Sequence, residues 1–232
     1  TDGTEQLVAA YVDAGYPIKF KFEEWRGYAG QKQYAMELCS HDWQLSLDSD
    51  ERMDSDFMRV LPDLLQAGPE VGGWRITRRP YLIGYGYTPK KSHERYNLRL
   101  VRKDAGAFDQ TAKVHEGIVL NAGLKAKICK TGSMLHFRPI PIEEQILKEN
   151  HYSSLKASML IERGVQPRKL KMLINPLFYF LKLYFRTGLW RCGFSGFNQA
   201  MIGTVYSFLT ETKIYEHYAR LNHPQIDEEP DE

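Results

Sequence analysis

The run Trp43-Gln44-Leu45-Ser46-Leu47, followed at once by Asp48-Ser49-Asp50-Glu51, constrains this chain more than any other stretch. Leu45 and Leu47 alternate as a strand does, and the apolar pattern gives way to carboxylates where that strand ends. In open α/β sheets the carboxyl ends of strands are where ligands bind. Asp48 and Asp50, two positions apart on an extended chain, are predicted to point the same way and to hold Mg²⁺ or Mn²⁺, hard cations that take oxygen ligands and leave positions for a diphosphate. The plain alternative is a solvated acidic turn. An EF-hand loop starting at Asp48 is excluded, because Met53 and Arg59 stand where that loop needs Gly and Glu. A phosphatase-like Asp-x-Asp nucleophile is disfavoured by Arg52, where Thr or Val usually follows.

A chain of 232 residues can bury one good core with an appended subdomain. Its net charge of +2 is too small to imply nucleic-acid binding, so any basic surface must be local. Cys39, Cys129 and Cys192 lie far apart with no Cys-x-x-Cys, which predicts buried free thiols and argues against structural zinc. The longest apolar stretch, Leu173 to Phe185, is broken by Asn175, Pro176 and Lys182 and is too short to span a bilayer.

Along the chain, Asp2 or Thr4 is expected to cap a helix reaching about Ala14, and Ile18 to Phe22 alternates as a strand. Gly27 and Gly30 are read as flanking a turn before a helix from Gln31 to Cys39. The Trp43 to Leu47 strand comes next, then a helix from about Asp54 to Gln66 with Pro62 as a kink or break. Strand-like pieces follow at Trp74 to Arg79, Asn97 to Arg102 and Lys125 to Lys130. From Pro141 the pattern is helical, with candidates over Ile142 to Arg163, Lys169 to Thr187 and Phe197 to Leu221. The tail from Asn222 to Glu232, rich in Pro, Asp and Glu, reads as disordered. The opening Thr1-Asp2-Gly3-Thr4, running straight into a helical pattern, looks entered midway through a strand-turn-helix unit, with a first strand missing.

Several spacings then coincide. They are Thr1-Asp2-Gly3-Thr4, Trp25-Arg26-Gly27-Tyr28-Ala29-Gly30-Gln31-Lys32, Asp42-Trp43 through Glu51, Arg78-Arg79 before Gly84, Arg99-Leu100, Val114-His115-Glu116, and Leu135-His136 before the helical Tyr152 region. In this order they resemble the family 2 glycosyltransferases of the lipopolysaccharide-core type, over nearly the whole chain. The resemblance implies an α/β fold of GT-A type: a Rossmann-like mixed sheet with covering helices, followed by a C-terminal helical extension. The implied division is a catalytic domain over residues 1–140 lacking its first strand, a helical and membrane-associating region over 141–221, and an acidic disordered tail over 222–232.

The same resemblance implies inverting transfer of a sugar, a hexose such as glucose, from a nucleotide-diphosphate sugar to a lipid-linked saccharide such as the lipopolysaccharide inner core, with a divalent metal, Mg or Mn. Asp50 is the chosen metal ligand, Asp48 shares the metal or touches the ribose, and His136 completes the shell or is a satisfied structural histidine. Glu51 is read as a structural partner for Arg52 or another base. Glu116 is the candidate catalytic base that takes the acceptor hydroxyl proton, the alternative being a surface acid at a strand edge. His115, Arg99 and Arg79 are candidates for the acceptor, with Arg99 the most inward of the arginines. Gln31 and Lys32, expected at a helix N-terminus, and Asp2, in the opening turn, are candidates for the donor.

In the helical end, basic residues from Arg168 to Arg191 punctuate an aromatic-aliphatic stretch containing Phe178, Phe185 and Trp190. That composition suits an interfacial helix against anionic lipid, with core packing and a dimer interface as the other readings. The expected setting is cytoplasmic, peripheral to the inner face of the cell membrane, without nucleic acid. Two rival functions are a non-catalytic remnant acting as a membrane-binding or assembly module and a soluble nucleotide-sugar hydrolase. Which sugar, nucleotide and acceptor position, and which oligomeric state, do not follow from the motifs.

Overall fold

The structure, a computed structural model, describes residues 2–90, 96–110 and 117–223. The described parts of 1–40 and 107–119 form one compact unit, and those of 41–106 and 120–232 form another. Compactness therefore divides the chain differently from the expected boundary at residue 140. The C-terminal helices cluster with the sheet.

The first unit contains helices α1 (Thr4–Asp13) and α2 (Gly27–Glu37), with strands β6 (Gly106–Phe108) and β7 (Ile118–Leu120) pairing at its edge. The N-cap of α1 is Gly3, at φ 83° and without a side-chain cap hydrogen bond, so neither Asp2 nor Thr4 caps the helix as expected; Asp2 Oδ1 accepts from Thr4 N at 3.1 Å. Hydrogen bonding from the Thr4 hydroxyl, and after it from the Thr4 N–H, lowers the Asp2 carboxyl below its ordinary value. The Gln33 side chain on α2 accepts from Phe108 N at 2.9 Å and ties helix to strand. Two further expectations are corrected here. Ile18–Phe22 forms no strand; alternation alone does not make one, and among the described residues none lies beside it to complete a ladder. Gly27 and Gly30 do not flank a turn, because Gly27 already opens α2 at φ 76° and Gly30 continues it.

The second unit is built on a mixed sheet with strand order β1 (Trp43–Leu45), β5 (Tyr96–Arg102), β3 (Val71–Leu82), β8 (Lys125–His136), β2 (Glu51–Met53). β3 and β8 run parallel and the other neighbours antiparallel, with a short β4 (Gly86–Tyr87) on β3. Leu100 on β5 and Ile76 on β3 are buried in one core with Phe57 and Leu64 of helix α3 (Ser55–Leu65), and Leu98 and Val101 on β5 are buried as well. α3 begins where Asp54 Oδ1 accepts from Phe57 N at 2.7 Å, and it continues through Pro62 without a break. Its last carbonyls are capped from the sheet: the indole N–H groups of Trp43 and Trp74 donate to Leu65 O and Leu64 O, each at 3.1 Å. Arg102 stacks on Trp43 and donates to Ala67 O.

After the sheet come α4 (Ile142–Glu162), α5 (Lys169–Leu181), a π turn (Lys182–Arg186), a 3₁₀ turn (Leu189–Cys192) and α6 (Gly193–Asn222). Leu82 at the end of β3 is buried against Leu189, Cys192 and Ala200, which fastens the helices to the sheet. Lys213 on α6 donates to Asn150 O, Ser153 Oγ and Ser154 Oγ on α4 at 2.7–2.8 Å. Cys129 and Cys192 are buried free thiols as expected; Cys39 is exposed, because its helix ends there and its thiol reaches only Ala35 O. Residues 224–232, read as a disordered tail, lie outside the described residues. The expected α/β fold, a mixed sheet with helices and a C-terminal helical region, is the one observed.

Candidate functional site

Strand β1 ends at Leu45, short of Leu47, and the acidic run is a turn between β1 and β2. Asp48 O accepts from Glu51 N at 2.9 Å, and Glu51 Oε2 in return accepts from Asp48 N at 3.2 Å. The expectation that strand periodicity aims Asp48 and Asp50 the same way is corrected on this ground. Asp48 and Asp50 have different partners. Asp48 Oδ2 lies 3.4 Å from Arg99 Nη2, and Asp50 Oδ2 lies 3.1 Å from His136 Nε2.

Register brings His136 to Asp50, 86 residues apart in sequence. β2 pairs antiparallel with the end of β8 so that Glu51 faces His136, and Phe137 N then donates to Asp50 O at 2.8 Å. The pair is partly buried, with the Asp50 and His136 side chains 34% and 18% exposed. Glu51 is different: its side chain is fully buried, 2.9 Å from Arg99 Nη2 and 3.7 Å from Arg78 Nη1. Its partners are Arg99 and Arg78 rather than Arg52, which reaches Tyr87. Arg99 is inward as expected, and its guanidinium holds both Glu51 and Asp48. Arg79 donates to Thr88 O and approaches Asp54 at 3.9 Å.

Among the described residues no group of three or more His, Cys, Asp and Glu side chains is arranged to hold a metal ion. Asp50 and His136 form a pair, and the Asp48 carboxylate is turned to Arg99. Asp50 Oδ2 and His136 Nε2 are in direct hydrogen-bond contact at 3.1 Å, a separation that is also about that of two cis ligands of an octahedral cation. Mg²⁺ takes few protein ligands when phosphate oxygens and water supply the rest.

The other expected site residues are placed as follows. Gln31 and Lys32 sit in the second turn of α2, four and five residues after its first residue, so they are not at a helix N-terminus; Gln31 Oε1 accepts from Arg26 N at 3.4 Å. Asp2, Gln31 and Lys32 belong to the first unit, whereas Asp48, Asp50, Arg79, Arg99 and His136 belong to the second. His115 and Glu116 lie outside the described residues. Beside His136 stands an aromatic cluster that sequence reading missed: Tyr81 packs edge-on against Tyr87 and against Phe137, ring centroids 5.3 and 4.9 Å apart. The adjacency of Phe137 to His136 was the available signal.

Residues 1–131 match the family described as Glycosyl transferase family 2. Among curated proteins, the chain is 55% identical over 228 residues to the lipopolysaccharide core biosynthesis glycosyltransferase LpsC of Rhizobium meliloti (strain 1021), an alignment spanning 98% of this chain and 84% of that protein. It is 25% identical over 223 residues to an uncharacterized glycosyltransferase of Rickettsia bellii (93% and 75% covered) and 28% identical over 200 residues to one of Rickettsia typhi (83% and 68%). With more than half its length matched by the family and a relative of this similarity aligned almost end to end, the chain belongs to glycosyl transferase family 2.

Proposed function

We propose that the protein is an inverting hexosyltransferase that moves a sugar, such as glucose, from a nucleotide-diphosphate donor to a lipid-linked saccharide such as the lipopolysaccharide inner core, at the inner face of the cell membrane. The observation that carries this reading is the partly exposed pair Asp50–His136, set on a turn ordered by buried Glu51 and Arg99. LpsC, the 55% identical relative, supports the acceptor class by its description.

In this reading Asp50 and His136 hold a divalent cation, Mg or Mn, which when bound neutralises charge on the leaving diphosphate. Asp48 meets the ribose or the cation from the same turn. Glu51 and Arg99 fix the turn so that Asp50 is in place before the donor arrives, and such preorganisation spares the cost of ordering it on binding. Asp2, Gln31 and Lys32 are assigned to the donor, and His115, Arg79 and Arg99 to the acceptor. Glu116 is assigned as the base: its carboxylate takes the proton of the acceptor hydroxyl as that oxygen attacks the anomeric carbon from the face opposite the diphosphate.

Calorimetry with UDP-, ADP- and GDP-sugars in the presence of Mn²⁺ identifies the donor. Asp50→Ala should then abolish Mn²⁺-dependent donor binding with the fold intact; unchanged binding removes Asp50 from the site. Glu116→Gln should keep donor affinity and slow transfer by roughly 10²–10⁴-fold. Transfer at the normal rate places the base elsewhere.

A further inference from the structure

Between Glu162 and Glu211 the chain carries seven Lys and Arg residues and no Asp or Glu. Seven of its 31 basic residues thus stand in a stretch holding none of its 29 acidic ones, and the remainder is net negative. The structure shows where this charge lies. Met172 and Tyr179 on α5 and Leu183 in the π turn repeat at helical spacing and are partly buried, and Tyr179 packs on Tyr206 of α6. The opposite face presents Leu170, Leu173, Leu177 and Leu181, which are 67%, 77%, 58% and 39% exposed. Lys171, Phe178 and Lys182 run along one flank of that stripe at spacings of seven and four and are exposed as well. The next turns add exposed Phe185, Trp190 and Phe194.

We infer that this face of α5, continued by the π and 3₁₀ turns and the start of α6, docks on an anionic lipid bilayer, with the leucine and aromatic side chains at the headgroup–acyl boundary and the lysines and arginines on the phosphates. Exposed leucines flanked by basic residues are the pattern of an interfacial helix. A second copy of the chain is the poorer occupant, because a two-fold interface would set this unbroken positive charge against itself. A nucleic acid would match the charge and leave the four leucines uncovered. Among the described residues no helix is long and apolar enough to cross a membrane.

The inference deepens the proposed transfer to a lipid-linked acceptor. β3 ends at Leu82, buried against Leu189 next to Trp190, and carries Arg78, 3.7 Å from Glu51. Four residues of strand span about 13 Å, so the docking turns and the carboxylate turn lie at two points along one strand. The docked face would hold the site close to a headgroup-borne saccharide.

The test is co-sedimentation of the full-length protein with vesicles of phosphatidylcholine alone or mixed with phosphatidylglycerol, without donor or acceptor. The expected result is binding to the phosphatidylglycerol vesicles and none, or far less, to phosphatidylcholine. The Lys171→Glu/Lys182→Glu double variant should lose binding by roughly tenfold or more. Leu177→Ser/Phe178→Ser should weaken it at unchanged charge. Both variants should keep donor binding in solution, since these residues are not in the donor or acceptor site. Equal partitioning to both vesicle types, wild-type binding by both variants, or burial of the face in a stable dimer seen by light scattering overturns the inference. Because the assay contains no sugar, its failure leaves the transferase reading to the donor-binding experiment, and the reverse holds too.

Discussion

Glu51 and Asp50 are adjacent carboxylates with opposite fates, and the difference follows from the guanidinium of Arg99. A buried carboxylate is tolerable only with its charge met, and Arg99 at 2.9 Å meets it. Arg99→Met, which keeps bulk and removes the charge, should lower stability by about 3 kcal/mol in urea unfolding and weaken Mn²⁺-dependent donor binding by loosening the turn. Full stability in that variant would mean that Glu51 finds other partners. Asp54 is a second buried acid with a purely structural task. Burial opposes its charge, but hydrogen bonds from Ser133 and Phe57 and nearby Lys90 outweigh it and hold its carboxyl below the usual range. Asp54→Ala should cost about 2 kcal/mol. Because the folded value is depressed, this contribution is present above the unfolded carboxyl value of about 3.9 and is lost as pH falls from there through the folded value. The stability gap between wild type and Asp54→Asn should therefore be level from neutral pH down to about 5 and close below about 4.

Elements meet here through a few close approaches. Between Ile76 and Thr77 of β3 the partner register on β8 jumps from Cys129 to Ser133, so residues 130–132 bulge out of the ladder. The bulge lays Gly132 on α3, where a Cβ would stand 2.4 Å from Phe57 Cα. Gly132→Ala should destabilise by about 1–3 kcal/mol, measured as a lower urea midpoint, and a neutral result would show that α3 can move off the sheet. This bulge explains why Lys125 to Lys130 alone read as a strand: Thr131-Gly132 looks like an ending, and only the pairing with β3 and β2 carries the strand on to His136. The α3 cap at Asp54 was legible because capping is local. Ile18–Phe22 misled because alternation specifies a strand only when a neighbour supplies the ladder. At the site, the motifs brought out Asp50 and His136. They did not reveal that Glu51, rather than Asp48, is the buried member of the turn, since burial was decided by a strand register and by Arg99, 48 residues away.

At the scale of the whole molecule, apolar burial is unevenly shared between the two units. α1 buries no residue and α2 buries only Ala29, and Phe20, Phe22 and Trp25 of the connecting segment are exposed. In the other unit Phe57, Ile76, Met134 and Val101 are essentially inaccessible, and β3 is flanked on both sides by paired strands. Local opening costs least where few apolar contacts are lost. Hydrogen exchange followed by mass spectrometry should accordingly show fast exchange over Thr4–Asp13 at neutral pH. Amides of Arg75–Arg79 and Ser133–Leu135 should exchange slowest, with protection approaching that of global unfolding. Adding a nucleotide sugar with Mn²⁺ should slow exchange in residues 46–51 and 134–137, because those amides order the turn that holds the donor in the proposed reading, and should leave the core of β3 unchanged. Protection appearing elsewhere without any change at the turn would relocate the donor site. Equal protection of α1 and β3 in the free protein would contradict the uneven burial that sets the expected order of opening.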